Sequence, residues 1–166
     1  MEIRGHKLGD DEAIGHFNDL AFAGRYESRL VSDLRAAGLA AIELVAVEQS
    51  LIVGHILFSA LSVTTDEAPI RALALAPMCV RPDRQRDGIG SALVRLGLDR
   101  ARERYWQAVI VLGHPEYYPR FGFSAELART LKAPFSGNAF MALELAPGVL
   151  QGRTGHVVYP AAFGVS

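Results

Sequence analysis

Apolar and polar residues along this chain follow two different periods, and the changes of period mark its elements. After Gly88, the apolar residues Ile89, Ala92, Leu93 and Leu96 fall at i, i+3, i+4 and i+7, with Arg95, Asp99, Arg102 and Glu103 opposite them. That spacing predicts an amphipathic helix whose charged side is a solvated face. Downstream, Ala108-Val109-Ile110-Val111-Leu112 is an unbroken apolar run, as expected of a strand buried on both faces. A strand from Arg71 to Val80 precedes the helix, so strand, helix and strand predict a right-handed crossover between parallel neighbours.

Upstream, Met1 to Lys7 predicts a short strand. Asp10 is a candidate N-cap for a helix over Asp11–Phe22, with Ile14, Phe17, Leu20 and Ala21 on one face. Gly24 breaks that helix. A second is predicted over Tyr26–Ala37, with Leu30, Val31 and Leu34 apolar and Gly38 at its end. Ile42–Glu48 and Leu51–Val63 read as a hairpin joined at Gln49-Ser50, and Thr64–Pro69 reads as a turn. After Leu112, Gly113-His114-Pro115 ends the strand. Glu116–Arg120 is a helical turn and Phe121-Gly122-Phe123 begins an extended piece. Thr130–Ser136 is irregular, Asn138–Leu145 a strand, Pro147-Gly148 a turn and His156–Tyr159 an edge strand. The order predicts an α/β domain with a mixed sheet.

The chemistry concentrates between the strand and the long helix, at Met78-Cys79-Val80-Arg81-Pro82-Asp83-Arg84-Gln85-Arg86-Asp87-Gly88-Ile89-Gly90-Ser91. A strand, a glycine-rich loop and a helix start present free N–H groups that, with the helix dipole, stabilise an anion. A P-loop requires Gly-Lys-Ser/Thr, which is absent. A dinucleotide fingerprint requires a small residue at position 93, which is Leu.

The remaining spacing, Gln85-x-x-Gly88-x-Gly90, resembles the pyrophosphate loop of the GNAT acetyltransferase superfamily. A second match lies downstream. Tyr117-Tyr118-Pro119-Arg120-Phe121-Gly122-Phe123 resembles the Phe-Tyr-x-x-x-Gly-Phe segment of that superfamily, in the form found in its small bacterial branch. Together they imply an acyl-CoA N-acyltransferase fold, a mixed and mostly antiparallel sheet flanked by helices, over most of the chain. They imply direct acetyl transfer from acetyl-CoA to an amine. Gln85, Arg86, Asp87, Gly88, Ile89, Gly90 and Ser91 would hold the pyrophosphate, and Met78, Cys79 and Val80 the pantetheine. Tyr118 would be the acid that meets the departing sulfur. A backbone N–H near Val80 would serve the oxyanion.

Two departures stand against the pattern. Asp87 places a carboxylate where the superfamily is often basic or neutral, and capping the helix is the reading that spares the pyrophosphate. Gly113-His114 stands where many members carry an asparagine on the pantetheine, so that contact is not implied.

The bland readings compete. Tyr117, Tyr118, Phe121 and Phe123 also suit core packing. Cys79 reads as a small buried hydrophobe rather than a nucleophile. His55 and His114 are both candidate bases, and His6, His16 and His156 read as surface residues. No spacing resembles a metal site or a nucleophile elbow. The alternatives to an enzyme of this class are a non-catalytic acyl-CoA-binding module and a nucleotide-phosphate enzyme using the same loop.

Composition narrows this further. The 166 residues suit one domain over 1–166, with 147–166 as its C-terminal extension. A net charge of -1 gives no reason to expect a nucleic-acid or membrane partner, so an anionic cosubstrate must be met locally, by Arg81, Arg84, Arg86 and backbone amides. One cysteine, and no signal-peptide pattern at the start, fit a cytoplasmic protein. The acceptor expected is a small-molecule or peptide amine. Val157, Val158, Tyr159 and Phe163 in the tail suit either a covered sheet edge or a homodimer contact.

Overall fold

The structure is a computed structural model that describes residues 1–66 and 68–165. Glu67, inside the expected turn, and Ser166, at the end of the expected extension, lie outside the described residues. The described residues form eight strands and four α-helices. They are β1 (Glu2–Gly5), α1 (Asp11–Phe22), α2 (Tyr26–Ala36), β2 (Ala40–Glu48), β3 (Leu51–Thr65), β4 (Pro69–Val80), α3 (Ile89–Glu103), β5 (Ala108–Leu112), α4 (Ala125–Ala128), β6 (Leu131–Lys132), β7 (Phe140–Glu144) and β8 (Gly155–Val158). Hydrogen-bonded neighbours follow the order β1-β2-β3-β4-β5-β7, with β8 against β3 and β6 against β8. The sheet is mixed and mostly antiparallel, as the resemblance implies.

Contacts divide the chain into two compact units, 1–59 with 76–100 and 60–75 with 101–166. In the first, β1 pairs antiparallel with β2 from Glu2↔Val47, and β2 with β3 through the Gln49-Ser50 turn. Both turn residues take positive φ (50° and 64°), the conformation a two-residue hairpin requires. α3 buries Ile89, Leu93, Val94, Gly97, Leu98 and Ala101, whereas Ala92 and Leu96 are only half-buried. The buried stripe is thus rotated from the expected one. Gly97 explains the rotation, because a Cβ there would collide with the ring of Phe58. Each large apolar side chain buried this way contributes about 1.5–3 kcal/mol.

α1 departs from expectation too. Its buried residues are Ile14 and Asn18, and Leu20 is exposed. Asp10 makes no side-chain cap to α1. Its carboxylate instead accepts from Arg4 Nη1 (2.7 Å) and from the Lys7 N–H (2.8 Å), and the Arg4 bond holds its pKa down at about 2.

In the second unit, β4 and β5 pair in parallel from Ala72↔Ala108 to Ala74↔Ile110, and β5 pairs antiparallel with β7 over its whole length. The expected turn at 64–69 is shorter, since β3 runs to Thr65 and β4 starts at Pro69. The extended piece after Phe121 is a single bridge, Ser124↔Ala142, because Ser124 caps α4 by accepting the Leu127 N–H at 3.2 Å. The tail is no lone edge strand. β8 pairs antiparallel with β3 (Ser62↔Val158 to Thr65↔Gly155) and in parallel with β6, which forms within the stretch expected to be irregular. Val157 and Phe163 are buried by this packing, while Val158 stays exposed.

Candidate active site

The loop after β4 is shaped by its own backbone. Pro82–Arg84 forms a 3-10 turn, with the Arg84 N–H bonded to Arg81 O at 2.8 Å. The Arg81 N–H bonds to Val53 O at 2.9 Å and anchors the start of the loop to β3. Gln85 Nε2 donates to Val80 O at 3.3 Å and draws the loop back onto the strand end. Arg86 (φ 71°) and Gly88 (φ 82°) then take left-handed conformations on either side of Asp87. Alternation of this kind turns successive N–H groups toward one side, forming an anion-binding concavity. Nothing lies within 4 Å of where a Gly88 Cβ would be, so its φ and not crowding favours glycine there. α3 begins at Ile89, and its first intrahelical bond runs from the Ala92 N–H to Gly88 O at 3.0 Å. The N–H groups of Ile89 and Gly90 therefore precede the first intrahelical bond, and they sit at the positive end of the helix dipole.

The charges around the loop differ from expectation. Arg81 Nε is paired with Asp83 (2.6 Å), and Arg84 with Glu48 and with Asp87 (2.9 Å). Arg86 is the loop arginine with no ion pair among the described residues. Gly88 occupies the position before the helix, and the Asp87 carboxylate accepts from Arg84 Nε, which offsets its charge.

The end of β4 has two unlike faces. Ala76, Met78 and Val80 are half-buried, while Pro77 and Cys79 are buried. Parallel pairing with β5 ends at Ala74 among the described residues, which leaves later backbone groups on that edge of β4 without a β5 partner. Burial pushes the Cys79 thiol up to about 12, so it is a neutral donor and no nucleophile. It donates to Asn18 Oδ1 at 3.6 Å.

Asn18 belongs to a network that the sequence reading missed. Its Nδ2 donates to Ile14 O (3.0 Å), which fixes the orientation of the amide. The same nitrogen donates to His55 Nδ1 (3.2 Å), so Nδ1 is the acceptor and Nε2 carries the proton. Nε2 donates to Glu43 Oε2 at 2.8 Å. Arg35 grips the same carboxylate with Nε (3.0 Å) and Nη2 (2.5 Å). Burial alone would raise the Glu43 pKa, but the bonds from His55 and Arg35 outweigh it and hold it at about 2. Burial lowers the pKa of His55 against the pull of Glu43. With no exposed surface, His55 cannot meet an acceptor and is not the base. A signal for this network does exist in the sequence: an amide four residues after Ile14 on an apolar face, and a glutamate at the second position of the otherwise apolar run Ile42–Val47.

Tyr118 lies in the second unit, in the 3-10 turn Tyr118–Phe121. Its ring makes edge-to-face contacts with Tyr117 (5.1 Å between centroids) and Phe123 (5.7 Å). Gly113 is what admits it, since a Cβ at 113 would overlap the ring. The departure noted at Gly113 thus has a steric cause in this chain. Burial first, and Tyr117 second, push the Tyr118 phenol up to about 12. Its hydroxyl has no partner among the described residues, yet it is not among their fully enclosed unpartnered polar atoms, so it keeps access to a ligand or water. His114, the other candidate base, is largely exposed and lies 3.9 Å from Glu116. No group of three or more His, Cys, Asp or Glu side chains among the described residues could hold a metal ion.

The family model of the acetyltransferase (GNAT) domain matches residues 41–125, just over half of the chain. The chain belongs to the GNAT acetyltransferase family. It is 33% identical over 146 residues to the uncharacterized N-acetyltransferase YhbS of Escherichia coli K12, covering 86% of each. It is 39% identical over 117 residues to a second E. coli K12 N-acetyltransferase, YjhQ, covering 69% of this chain and 64% of that one. Among solved structures, E. coli YhbS in complex with CoA superposes with a TM-score of 0.89 at 31% identity, covering 98% of this chain and 91% of that one. A GNAT acetyltransferase of Brucella melitensis in complex with acetyl-CoA gives 0.81 at 33% identity, covering 98% and 97%. The GNAT match includes β4, the loop, α3, β5 and the tyrosine turn, so both sequence signatures fall inside it.

Proposed function

We propose that this GNAT acetyltransferase moves the acetyl group of acetyl-CoA directly to an amine of a small-molecule or peptide acceptor, using the loop after β4 as its diphosphate grip. The observation that carries this is the pair of left-handed residues, Arg86 and Gly88, leading into the N-terminus of α3. Such a concavity of N–H groups suits a diphosphate, and Arg86, which has no ion pair among the described residues, adds a cation. The two crystallographic relatives hold CoA and acetyl-CoA, which supports acetyl-CoA as the cosubstrate here.

Residues then take these roles. Backbone amides from Arg86 to Ser91 hold the diphosphate, with Gln85 closing the loop and Asp87 restrained by Arg84. Met78, Cys79 and Val80 offer backbone groups of an unpaired strand edge to the pantetheine. The thioester supplies an activated acetyl group. A neutral amine attacks its carbonyl carbon, the C–S bond breaks, and the amine loses one proton while the thiol gains one. Tyr118 is protonated at neutral pH and donates a hydrogen bond to the departing sulfur. The same reading takes residues 1–166 as one domain with 147–166 as its extension, located in the cytoplasm. No helix among the described residues is long and apolar enough to cross a membrane.

The test is a Gly88→Val/Gly90→Val double variant titrated with CoA. Affinity is expected to fall by about a hundredfold or more, because a β-branched residue at positive φ rebuilds the loop. A folded double variant with unchanged affinity overturns the grip. Release of free thiol from acetyl-CoA with pooled amines separates the enzyme from a non-catalytic CoA-binding module, which would bind without turnover.

A further inference from the structure

Catalysis as proposed leaves the Asn18 network unused, although it is the largest buried polar assembly described in the first unit. Asn18 and His55 are fully buried, and the Glu43 side chain is 6% exposed. Removing a carboxylate, a guanidinium, an imidazole and an amide from water is costly, and apolar side chains would fill the same space more cheaply. What apolar side chains lack is direction. Each bond here fixes the angle of the next: Arg35 orients Glu43, Glu43 fixes the His55 tautomer, His55 and Ile14 aim the Asn18 amide, and Asn18 receives the Cys79 thiol.

We propose that Asn18 is a positioning residue for the acetyl-CoA strand: one amide ties α1 at Ile14, β3 at His55 and the end of β4 at Cys79. Because Cys79 points inward, its neighbours Met78 and Val80 point to the other face, and the angle of the strand end is set from beneath. The inference rests on the proposed pantetheine role of β4. It makes Asn18 a residue that acts on the cosubstrate without touching it. The network also has a defined charge state. Around His55 stand Glu43 on β2, Arg35 on α2 and His6 after β1, with the neutral Cys79 thiol across Asn18. Protonating Nδ1 would set an N–H against the Asn18 N–H, so the tie holds only while His55 is neutral.

The test is CoA affinity by titration calorimetry across the acid range, on the full chain. Asn18→Leu keeps the volume and removes both ends of the tie. It is expected to weaken CoA binding by about tenfold, the order of one lost buried hydrogen-bond pair. With the tie gone, protonation of His55 has nothing left to release, so the acid-side loss of affinity seen in the parent should flatten in the variant, which a merely structural role would not produce. Cys79→Ala, which removes the thiol donor, is expected to weaken binding by about threefold, with Cys79→Ser restoring most of it. Should Asn18→Leu fail to fold, the Cys79 pair decides on the same readout. Parent-like affinity in folded Asn18→Leu and Cys79→Ala, while Gly88→Val/Gly90→Val loses CoA, overturns the positioning role and leaves the loop intact. If the glycine variant retains CoA as well, the grip fails and the positioning role fails with it.

Discussion

His55 and Tyr118 are both buried rings that carry a titratable group, and their surroundings are opposite. Every polar atom of His55 is matched, Nδ1 by Asn18 and Nε2 by Glu43. Tyr118 is gripped by aromatic edges and a bare glycine, and its hydroxyl is left without a partner among the described residues. Burial lowers the pKa of the first and raises that of the second, so each is neutral at neutral pH. The lesson is that burial and a shifted pKa do not by themselves mark a catalytic group. A satisfied buried polar group spends its bonding capacity on the fold, whereas an unsatisfied one with access to solvent retains it for a ligand.

Four measurements test this contrast. Glu43→Leu should have the largest effect, because it leaves the Arg35 guanidinium half-buried without its carboxylate and removes the acceptor of His55. A loss of about 3–5 kcal/mol of stability is expected in denaturant unfolding. A loss below about 1 kcal/mol would show that the network is not structural.

Gly113→Ala comes next. The added methyl displaces the Tyr118 ring, and overpacking of this kind costs about 1–3 kcal/mol. Turnover should fall along with stability. Unchanged turnover would mean that the position of the ring does not matter.

Tyr118→Phe separates the two roles. Removing an unpartnered hydroxyl should change stability by less than about 0.5 kcal/mol. kcat should drop by about tenfold, at or below the low end of general-acid effects because a thiolate is a weak base. CoA affinity should hold. An unchanged kcat removes Tyr118 from the chemistry and returns the tyrosine turn to core packing.

The smallest effect is on the pH dependence of thermal stability. The folded-state pKa of His55 lies below its ordinary 6.5, so folding binds fewer protons than unfolding and stability declines as pH falls below 6.5. Glu43, at about 2 against an ordinary 4.5, adds stability that is complete above 4.5 and is lost as pH falls toward 2. The melting temperature should therefore start to fall near 6.5 and fall faster below 4.5. His55→Gln should flatten the upper part. A flat curve from 6.5 to 4.5 in the parent would show that His55 is not held neutral.

Much of the site was legible because it is local. The loop from Gln85 to Ser91 and the turn from Tyr117 to Phe123 are each set by a few consecutive residues and by what glycine, proline and a helix start allow. β5 was legible because burial on both faces leaves an unbroken apolar run. The ion pair of Arg84 with Glu48 on β2 was not, since the two residues are 36 positions apart. Nor was the displaced stripe of α3, because hydrophobicity cannot indicate that Phe58 fills the notch at Gly97.

By itself, then, the sequence determined the succession of elements, the glycine-bearing helix start and the tyrosine turn, all consequences of short-range sterics and periodicity. The tertiary structure alone decided that His55 is a strut and not a base, that Asn18 reaches a thiol 61 positions away, and that the tail completes an edge of β3. Those outcomes depend on which surfaces meet. Desolvation and hydrogen bonding between distant residues settle such contacts, and no local pattern encodes them.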